Sequence, residues 1–456
     1  MRKGLIVLAA AILLASASVF AEGGAEGASG AKPVKQVYFY AWTNPDNMVP
    51  LLNAFNKDYA GKYEMVYKKL AGATTMIINT ALSSGEPISV MTQASAFDLR
   101  QRADSGVYYP LKSFFDKAKL TYADVFGKSI EETQNINGDY YSMPYCNNIN
   151  MVYFNKKMFD AAGVPYPDPN WTWADFRATA KKLTKGTGAN KIYGAMLDVA
   201  EPNGDMYWAT IAQQKLGSFW YYSKDFKTTR FDAPEMKESL QFFYDMYMLD
   251  GSCVPLAEYT ALKLGFSDTN GMIGLYSGRY AMYVAPVYAA LYLNKSYGEI
   301  PPGTDIGVTN VPRPVGATGS VTVSYSSQAC IPANAPDKDA AWTAIKYICI
   351  DRADLFAGPK AMHPGYQFKD AASADKFNAI IFKDHPGLDF NMAMKVMALP
   401  RTIISRDNTH IEGQAKINQL INAVMSRVFN GEIKPDEALK ELKTKGDQYI
   451  LEDMKK

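Results

Sequence analysis

Apolar and polar positions follow two periods along the chain, and their order predicts an α/β fold. Runs rich in β-branched and aromatic residues at 34–40, 62–68 and 87–92 predict strands. Apolar residues at helical spacing predict amphipathic helices between them, from about 45 to 59 and from 74 to 83. Strand, helix, strand, helix, strand is the order of a parallel sheet, so this part of the chain is predicted to form one α/β unit.

The stretch 143–155, MPYCNNINMVYFN, separates this unit from a second one. Pro144 and the polar triplet 146–148 break the apolar pattern, and a largely buried strand is predicted over 149–154. We interpret the stretch as a hinge, where the chain first crosses from one lobe to another.

Beyond the hinge the α/β pattern restarts and then becomes mostly helical. Thr172 followed by Asp175 predicts a capping-box helix start. Strands are predicted at 192–197, 280–284 and 306–311, and helices at 206–216, 234–249, around the apolar stripe 417–428, and from 435.

Length and targeting signals narrow the class of protein. A chain of 456 residues predicts two or three domain-sized units. Residues 1–21 read as a cleaved signal peptide without a cysteine for lipid attachment, and residues 22–33 as a flexible leader. Removing Arg2 and Lys3 takes the formal net charge from +2 to 0, which gives no support to nucleic-acid or membrane-surface binding. We expect a periplasmic or secreted protein.

The search for catalytic and metal motifs is negative. No HExxH, GxSxG or Walker-type sequence is present, and the three histidines are not spaced as a metal pair. We therefore predict no catalytic residue, no metal and no cofactor. The four cysteines leave two alternatives open: a Cys330–Cys349 disulfide, or free buried thiols that include Cys146 and Cys253.

Residues 143–183 resemble the bacterial extracellular solute-binding proteins of family 1, the sugar-binding subunits of ABC importers. The resemblance rests on a Pro-aromatic pair, a polar bend, a strand ending in YFNK at 153–156, and the later Ala162-Gly163 and Thr172-Trp173 pairs. Further stretches follow in the family's order: 278–283, 307–314 with 329–333 and 340–342, and 430–439.

The resemblance implies a two-lobed periplasmic-binding-protein type II fold, with an α/β sheet in each lobe and several hinge crossings. It implies a first lobe of residues 34–146 plus 313–352 and a second of 147–312 plus 353–456, which close around a ligand. The implied partners are a carbohydrate and a membrane ABC permease, bound by a monomer. A secreted glycan hydrolase or lyase, a binding protein for a non-sugar solute, and a protein that presents its ligand to a chemoreceptor stay open as alternatives.

Candidate ligand-binding residues lie at strand ends and in the hinge. Aromatic rings suit the C–H faces of a sugar, and amides, carboxylates and guanidinium groups suit its hydroxyls. The rival interpretations are core packing for Trp42, helix capping for Ser95, backbone satisfaction for the hinge amides and solvated surface for Arg401. Gly319, Ser320 and Tyr325 are placed in a return loop. The predicted set is Trp42, Thr43, Asn44, Gln93, Ser95, Asp98, Tyr145, Asn147, Asn148, Glu201, Trp208, Tyr288, Gly319, Ser320, Tyr325 and Arg401.

Overall fold

A computed structural model describes residues 33–72, 74–93, 97–199, 207–265, 269–295, 298–405 and 413–455 of the protein. The predicted signal peptide and all but the last residue of the predicted leader lie outside these ranges. The described strands are β1 Lys35–Ala41, β2 Tyr63–Lys69, β3 Val90–Gln93, β4 Met143–Asn155, β5 Tyr193–Met196, β6 Tyr280–Pro286, β7 Ile306–Asn310, β8 Ser320–Cys330 and β9 Arg401–Ser405.

Helices surround these strands and make up most of the C-terminal region. They are α1 Val49–Asp58, α2 Thr75–Ser83, α3 Phe97–Asp104, α4 Lys112–Lys117, α5 Tyr122–Phe126, α6 Lys128–Gln134, α7 Lys156–Ala162, α8 Trp173–Leu183 and α9 Thr210–Leu216. The later ones are α10 Pro234–Tyr244, α11 Leu256–Leu262, α12 Thr269–Tyr276, α13 Lys338–Lys346, α14 Ala353–Phe356, α15 Ala371–Phe382, α16 Phe390–Met397, α17 Gln414–Phe429 and α18 Pro435–Asp453. The predicted capping box at Thr172 and Asp175 is confirmed.

The strands form one path in the order β2-β1-β3-β8-β4-β6-β5, with β7 also paired to β4 and β9 also paired to β8. The prediction of a parallel N-terminal unit is confirmed, because β1 runs parallel to both β2 and β3. The fold is the predicted one of two α/β lobes. Strand β4 joins them, since its first half pairs with β8 and its second half lies between β6 and β7.

The hinge stretch is more regular than its sequence suggests. Residues 143–155 form one continuous strand that is buried along its whole length, so the expected polar break at 146–148 is wrong. Pairing to β8 shifts between Pro144 and Cys146, which marks a β-bulge. The triplet pairs with β8 on one edge, and the backbone N–H of Asn147 donates to the His363 carbonyl at 2.9 Å on the other.

The second connection between the lobes runs through β8. The chain stays beside the second lobe past residue 312, since the Trp173 amide donates to the Arg313 carbonyl at 3.1 Å. The Gln214 side-chain amide donates to the carbonyls of Pro312 and Val321, at 2.9 and 2.8 Å. The predicted lobe boundary between residues 312 and 313 stays a prediction. Ser320 and Tyr325 belong to β8, so their predicted place in a loop is wrong.

The third connection runs along the edge of β4 near its start, where Pro364 forms an antiparallel bridge with Cys146. Phe356 packs on residues of the predicted first lobe, with its ring 5.4 Å from Phe39 and 4.9 Å from Tyr145. Gly365 then approaches so closely that a Cβ atom there would lie 2.0 Å from the Pro144 carbonyl oxygen. Only glycine lets the two backbones meet at this distance.

The four cysteines all lie inside the protein. All four thiols are buried and none forms a disulfide, so of the two alternatives the structure shows free thiols and not a Cys330–Cys349 disulfide. Burial raises the pKa of the Cys349 thiol well above its ordinary value.

Within the described ranges, no helix combines the length and the apolar character needed to cross a bilayer.

Candidate ligand-binding site

Polar and aromatic side chains gather where the two halves of β4 meet. Asn148 lies directly opposite Tyr325 of β8, so both side chains leave the sheet on the same face. The Tyr325 hydroxyl donates to the Tyr288 hydroxyl at 3.0 Å. Two positions along the strand, Asn150 accepts a hydrogen bond from the Tyr207 hydroxyl at 3.2 Å. We call Asn148, Asn150, Tyr207, Tyr288 and Tyr325 the hinge cluster.

The ends of several strands converge on the hinge cluster. The carboxyl end of β6 reaches β4 where Pro286 pairs with Asn150, and Tyr288 follows directly. The carboxyl end of β3 reaches β8 where Gln93 pairs with Gln328. In open α/β sheets, ligands bind outside the carboxyl ends of the strands, so the cluster lies where such a fold takes a ligand.

The two hinge asparagines differ in what they contact. The Asn147 amide is satisfied within the protein: its Nδ2 donates to the Gly365 carbonyl at 3.1 Å, and its Oδ1 accepts from the Ser326 hydroxyl at 2.8 Å. Asn148 is only 1 % exposed, and its Oδ1 has no hydrogen-bond partner among the described residues. A buried amide oxygen without a partner costs free energy, and a ligand hydroxyl would remove that cost.

The predicted residues after β1 lie at the end of that strand. Trp42 is partly buried and packs on the core of the first lobe. The Thr43 carbonyl accepts from the Tyr67 hydroxyl at 2.6 Å, and Asn44 is exposed and caps the short helical turn at Pro45–Met48. These contacts hold the loop in place.

The predicted residues after β3 are only partly described. Gln93 is fully buried, and its Oε1 accepts from the Arg102 guanidinium at 2.8 Å and from the Tyr108 hydroxyl. Its side chain is thus held inside the first lobe. Ser95 and Glu201 lie outside the described residues, and Asp98 belongs to α3 with a side chain that is not described.

Three other predicted residues lie away from the cluster. Trp208 is 1 % exposed in the core, with its ring 6.2 Å from that of Trp220. Gly319 is exposed just before β8. Ser320 pairs with Arg401 of β9, on the opposite face of the sheet from Tyr325, because side chains alternate along β8. The structure thus brings Asn148, Tyr288 and Tyr325 together and separates Arg401 from them.

Tyr145 sits under the third crossing beside a cation. Its ring centre is 5.3 Å from the Lys360 ammonium, which lies 3.3 Å from the centre of the Phe356 ring. Burial lowers the pKa of Lys360 to about 7. Burial also raises the pKa of the Tyr145 hydroxyl well above its ordinary value, so this phenol stays neutral at physiological pH.

The hinge cluster combines the groups that a neutral polyol requires. It offers two amides on β4, one tyrosine on β8 and two tyrosines on short helical turns, and none of its members is a carboxylate or a cation. Such a set can bind C–H faces and hydroxyls but supplies no acid–base pair. Across the described ranges, no three His, Cys, Asp or Glu side chains are placed to hold a metal ion.

Two α/β lobes joined by several crossing segments, with a polar and aromatic cluster at the hinge, define the class of two-lobed binding proteins. A model of the bacterial extracellular solute-binding proteins matches residues 41–348, and the chain belongs to that family. A relative from Brucella abortus, described as a binding protein, is 22 % identical over 324 residues, which is 69 % of each chain.

Solved structures show the same fold at low sequence identity. A sugar transporter protein of Rhizobium etli in an open conformation is similar with a TM-score of 0.71 and 22 % identity, over 91 % of this chain and 99 % of that one. The sugar-binding protein MalE of Xanthomonas citri is similar with a TM-score of 0.70 and 17 % identity, over 92 % and 98 %.

Sequence reasoning missed two members of the hinge cluster, Asn150 and Tyr207. Asn150 is polar in a strand whose neighbours are apolar, and that exception was a usable signal. Tyr207 precedes α9 and carried no signal, because its position beside Asn150 depends on how α9 packs.

Proposed function

We propose that the protein is a periplasmic solute-binding protein that captures a carbohydrate between its lobes and delivers it to an ABC-type permease. Membership of the family supports solute capture, and the sugar transporter and sugar-binding protein described above support a carbohydrate. The observation that carries the choice of ligand is the hinge cluster, where the unpartnered Asn148 oxygen lies beside tyrosine rings. The protein acts as a monomer and binds its ligand without turnover.

In this proposal the cluster recognises the sugar with both lobes. Tyr288 belongs to the second lobe and Tyr325 to a crossing strand, so a ligand between their rings contacts parts of the chain that move relative to each other. Binding then favours the closed arrangement by the extra contacts that it makes there. A site that pairs each hydroxyl also rejects analogues that leave its buried polar groups unpaired.

The test is a thermal-shift screen of mono- and oligosaccharides, with amino acids and polyamines as the comparison set. A ligand that binds only the folded state raises its melting temperature. We expect a saturable shift with at least one sugar and no product by chromatography. A shift with amino acids or polyamines and none with any sugar would overturn the carbohydrate assignment.

Asn148→Ala tests the site once a sugar is found. We expect about tenfold weaker sugar binding or more, because one buried hydrogen bond is lost, with little change in the melting temperature of the free protein. Asn53→Ala, an exposed amide on α1, is the matched control and should bind as the native protein does. If Asn148→Ala keeps both the affinity and the ligand-induced compaction seen by X-ray scattering, the hinge cluster is not the site.

A further inference from the structure

A cavity of about 510 Å³ lies behind the hinge, on the side that the hinge cluster does not use. Asn147 contributes to its wall, as do Arg401 and Ile403 of β9. Side chains alternate along a strand, so Asn147 points away from the face that carries Asn148 and Tyr325. The cavity is therefore separate from the proposed sugar site.

The walls of the cavity come from both sides of the hinge. Residues 126–130, at the junction of α5 and α6, belong to the predicted first lobe, and Ala374 and Asn378 of α15 belong to the predicted second. The third crossing contributes residues from 363 to 368. The volume of the cavity is within the usual range for small-molecule sites.

Arg401 gives the cavity a positive charge, and no acid among the described residues is paired with it. Its guanidinium donates to the Val396 carbonyl at 2.6 Å and contacts the sulfur atoms of Met397 and Met151 at 3.4 and 3.6 Å. No ion pair joins Arg401 to any carboxylate of the described residues, and burial lowers the pKa of its guanidinium to about 10. Arg401 is partly buried, and a cation removed from water is normally paired, so an anion can bind to its guanidinium here.

The other polar groups of the wall are neutral or lie toward its edge. Burial and the charge of Arg401 lower the pKa of His363 to about 4, so its ring is uncharged at neutral pH. The Asn378 Oδ1 has no hydrogen-bond partner among the described residues, and this side chain is 1 % exposed. Lys128 is exposed, 3.9 Å from Glu132. Among the described residues that line the cavity, none is acidic.

Apolar side chains form much of the remaining wall. They are Phe126, Tyr366, Phe368, Met397 and Leu399. Aromatic and aliphatic walls around one guanidinium suit a ligand with an apolar body and one planar oxyanion, because Arg pairs bidentately with carboxylates. A bare phosphate would leave most of these walls without a contact.

We propose that this cavity is a second ligand site that binds a small organic carboxylate through Arg401. The carboxylate pairs with the guanidinium, and the body of the ligand packs on the aromatic walls. Because the walls come from both lobes, an occupant also contacts the hinge. This site is independent of the proposed sugar site, and neither requires the other.

The test is isothermal titration of the full mature chain with benzoate, with neutral benzamide and inorganic phosphate as comparisons. We expect saturable benzoate binding and about tenfold weaker benzamide binding or more, since a charge-assisted pair is lost. Equal binding of the two compounds would overturn the proposal, as would no saturable benzoate binding below about 10 mM. Phosphate binding in place of benzoate would overturn the organic carboxylate.

Three variants locate the binding. Arg401→Gln should weaken benzoate binding by about tenfold or more, and Arg401→Lys, which keeps the charge but not the planar fork, should fall between. Ala374→Phe fills the cavity from α15 and should abolish benzoate binding while any sugar-induced thermal shift is kept. Cooperative melting of each variant confirms folding. Unchanged benzoate affinity in Arg401→Gln, or in a folded Ala374→Phe, refutes the site.

Discussion

The close approach of the third crossing to β4 gives the sharpest prediction about the hinge. In Gly365→Ala the new Cβ would lie 2.0 Å from the Pro144 carbonyl oxygen, 2.6 Å from the carbonyl carbon and 3.1 Å from the Pro144 Cβ. Two of these three atoms are backbone, so no side-chain rotation relieves the overlap. The crossing must retreat from β4 by more than about 1 Å to reach ordinary contact.

That retreat acts on hydrogen bonds that tie the crossing to β4. The backbone N–H of Asn147 donates to the His363 carbonyl at 2.9 Å, and the side-chain Nδ2 of Asn147 donates to the Gly365 carbonyl at 3.1 Å. Overpacking costs typically ~1–3 kcal/mol, and a weakened buried hydrogen bond adds about 1 kcal/mol. We expect Gly365→Ala to lower the free energy of unfolding by about 2–4 kcal/mol.

The assay is urea unfolding followed by tryptophan fluorescence, with Gly319→Ala as the matched control. A Cβ added at Gly319 would meet no atom within 4 Å, and the φ angle there is not positive. Alanine at this position should therefore change stability by less than about 0.5 kcal/mol. Equal midpoints and slopes for the two variants would refute the argument that the backbone contact at Gly365 requires glycine.

Three further predictions concern a lysine, a helix cap and the thiols. Lys360→Met should be more stable than the native protein by about 2–4 kcal/mol below pH 7, because the pKa of Lys360 in the folded protein is about 7 and its ordinary pKa is 10.5. The Phe356 ring offsets part of the cost of burying the charged ammonium. Between pH 7 and 10.5 the unfolded chain binds more protons than the folded one, so the stability advantage of the variant should shrink as pH rises toward 10.5. A difference in urea midpoints that does not depend on pH would contradict this prediction. Thr172→Ala removes the α8 cap and should cost about 1 kcal/mol in urea unfolding, against no change if the cap is irrelevant. Alkylation without reductant should label no thiol in the native protein and four in urea, whereas a disulfide would leave two unlabelled; the four are Cys146, Cys253, Cys330 and Cys349.

Much of the N-terminal sheet could be predicted because its signals are local. The strands at β1 and β2 follow β-branched and aromatic runs, and the α8 cap follows from two residues three positions apart. β8 escaped prediction because its sequence, SVTVSYSSQAC, is rich in serine and reads as a loop. Its serines are buried by β4 and β9, which are distant in sequence.

The candidate site was harder to predict, because it depends on which face a residue occupies. Asn147 and Asn148 are chemically identical neighbours, and only the pairing to β8 shows that one amide is satisfied internally while the other faces Tyr325. The sequence predicts that Arg401 reaches the ligand cleft, whereas its strand pairing places it on the face of Asn147, opposite to Asn148 and Tyr325. Trp208 is of a residue type that is common in sugar-binding sites, but it lies in the core. The predicted set of ligand-binding residues otherwise stays a prediction.

The β-bulge at the start of β4 determines which face of the sheet each later side chain of the strand occupies. Met143 and Pro144 pair with Ala329 and Gln328, and the next pair is Cys146 with Ser327, so Tyr145 is the supernumerary residue. In a regular ladder without the bulge, Tyr145 would lie opposite Ser327 and Asn147 would lie opposite Tyr325. The Asn148 side chain would then point to the opposite face of the sheet. The same residues, paired without the bulge, would thus exchange the front and back of the hinge. One irregular step in the ladder therefore decides which of the two asparagines faces Tyr325.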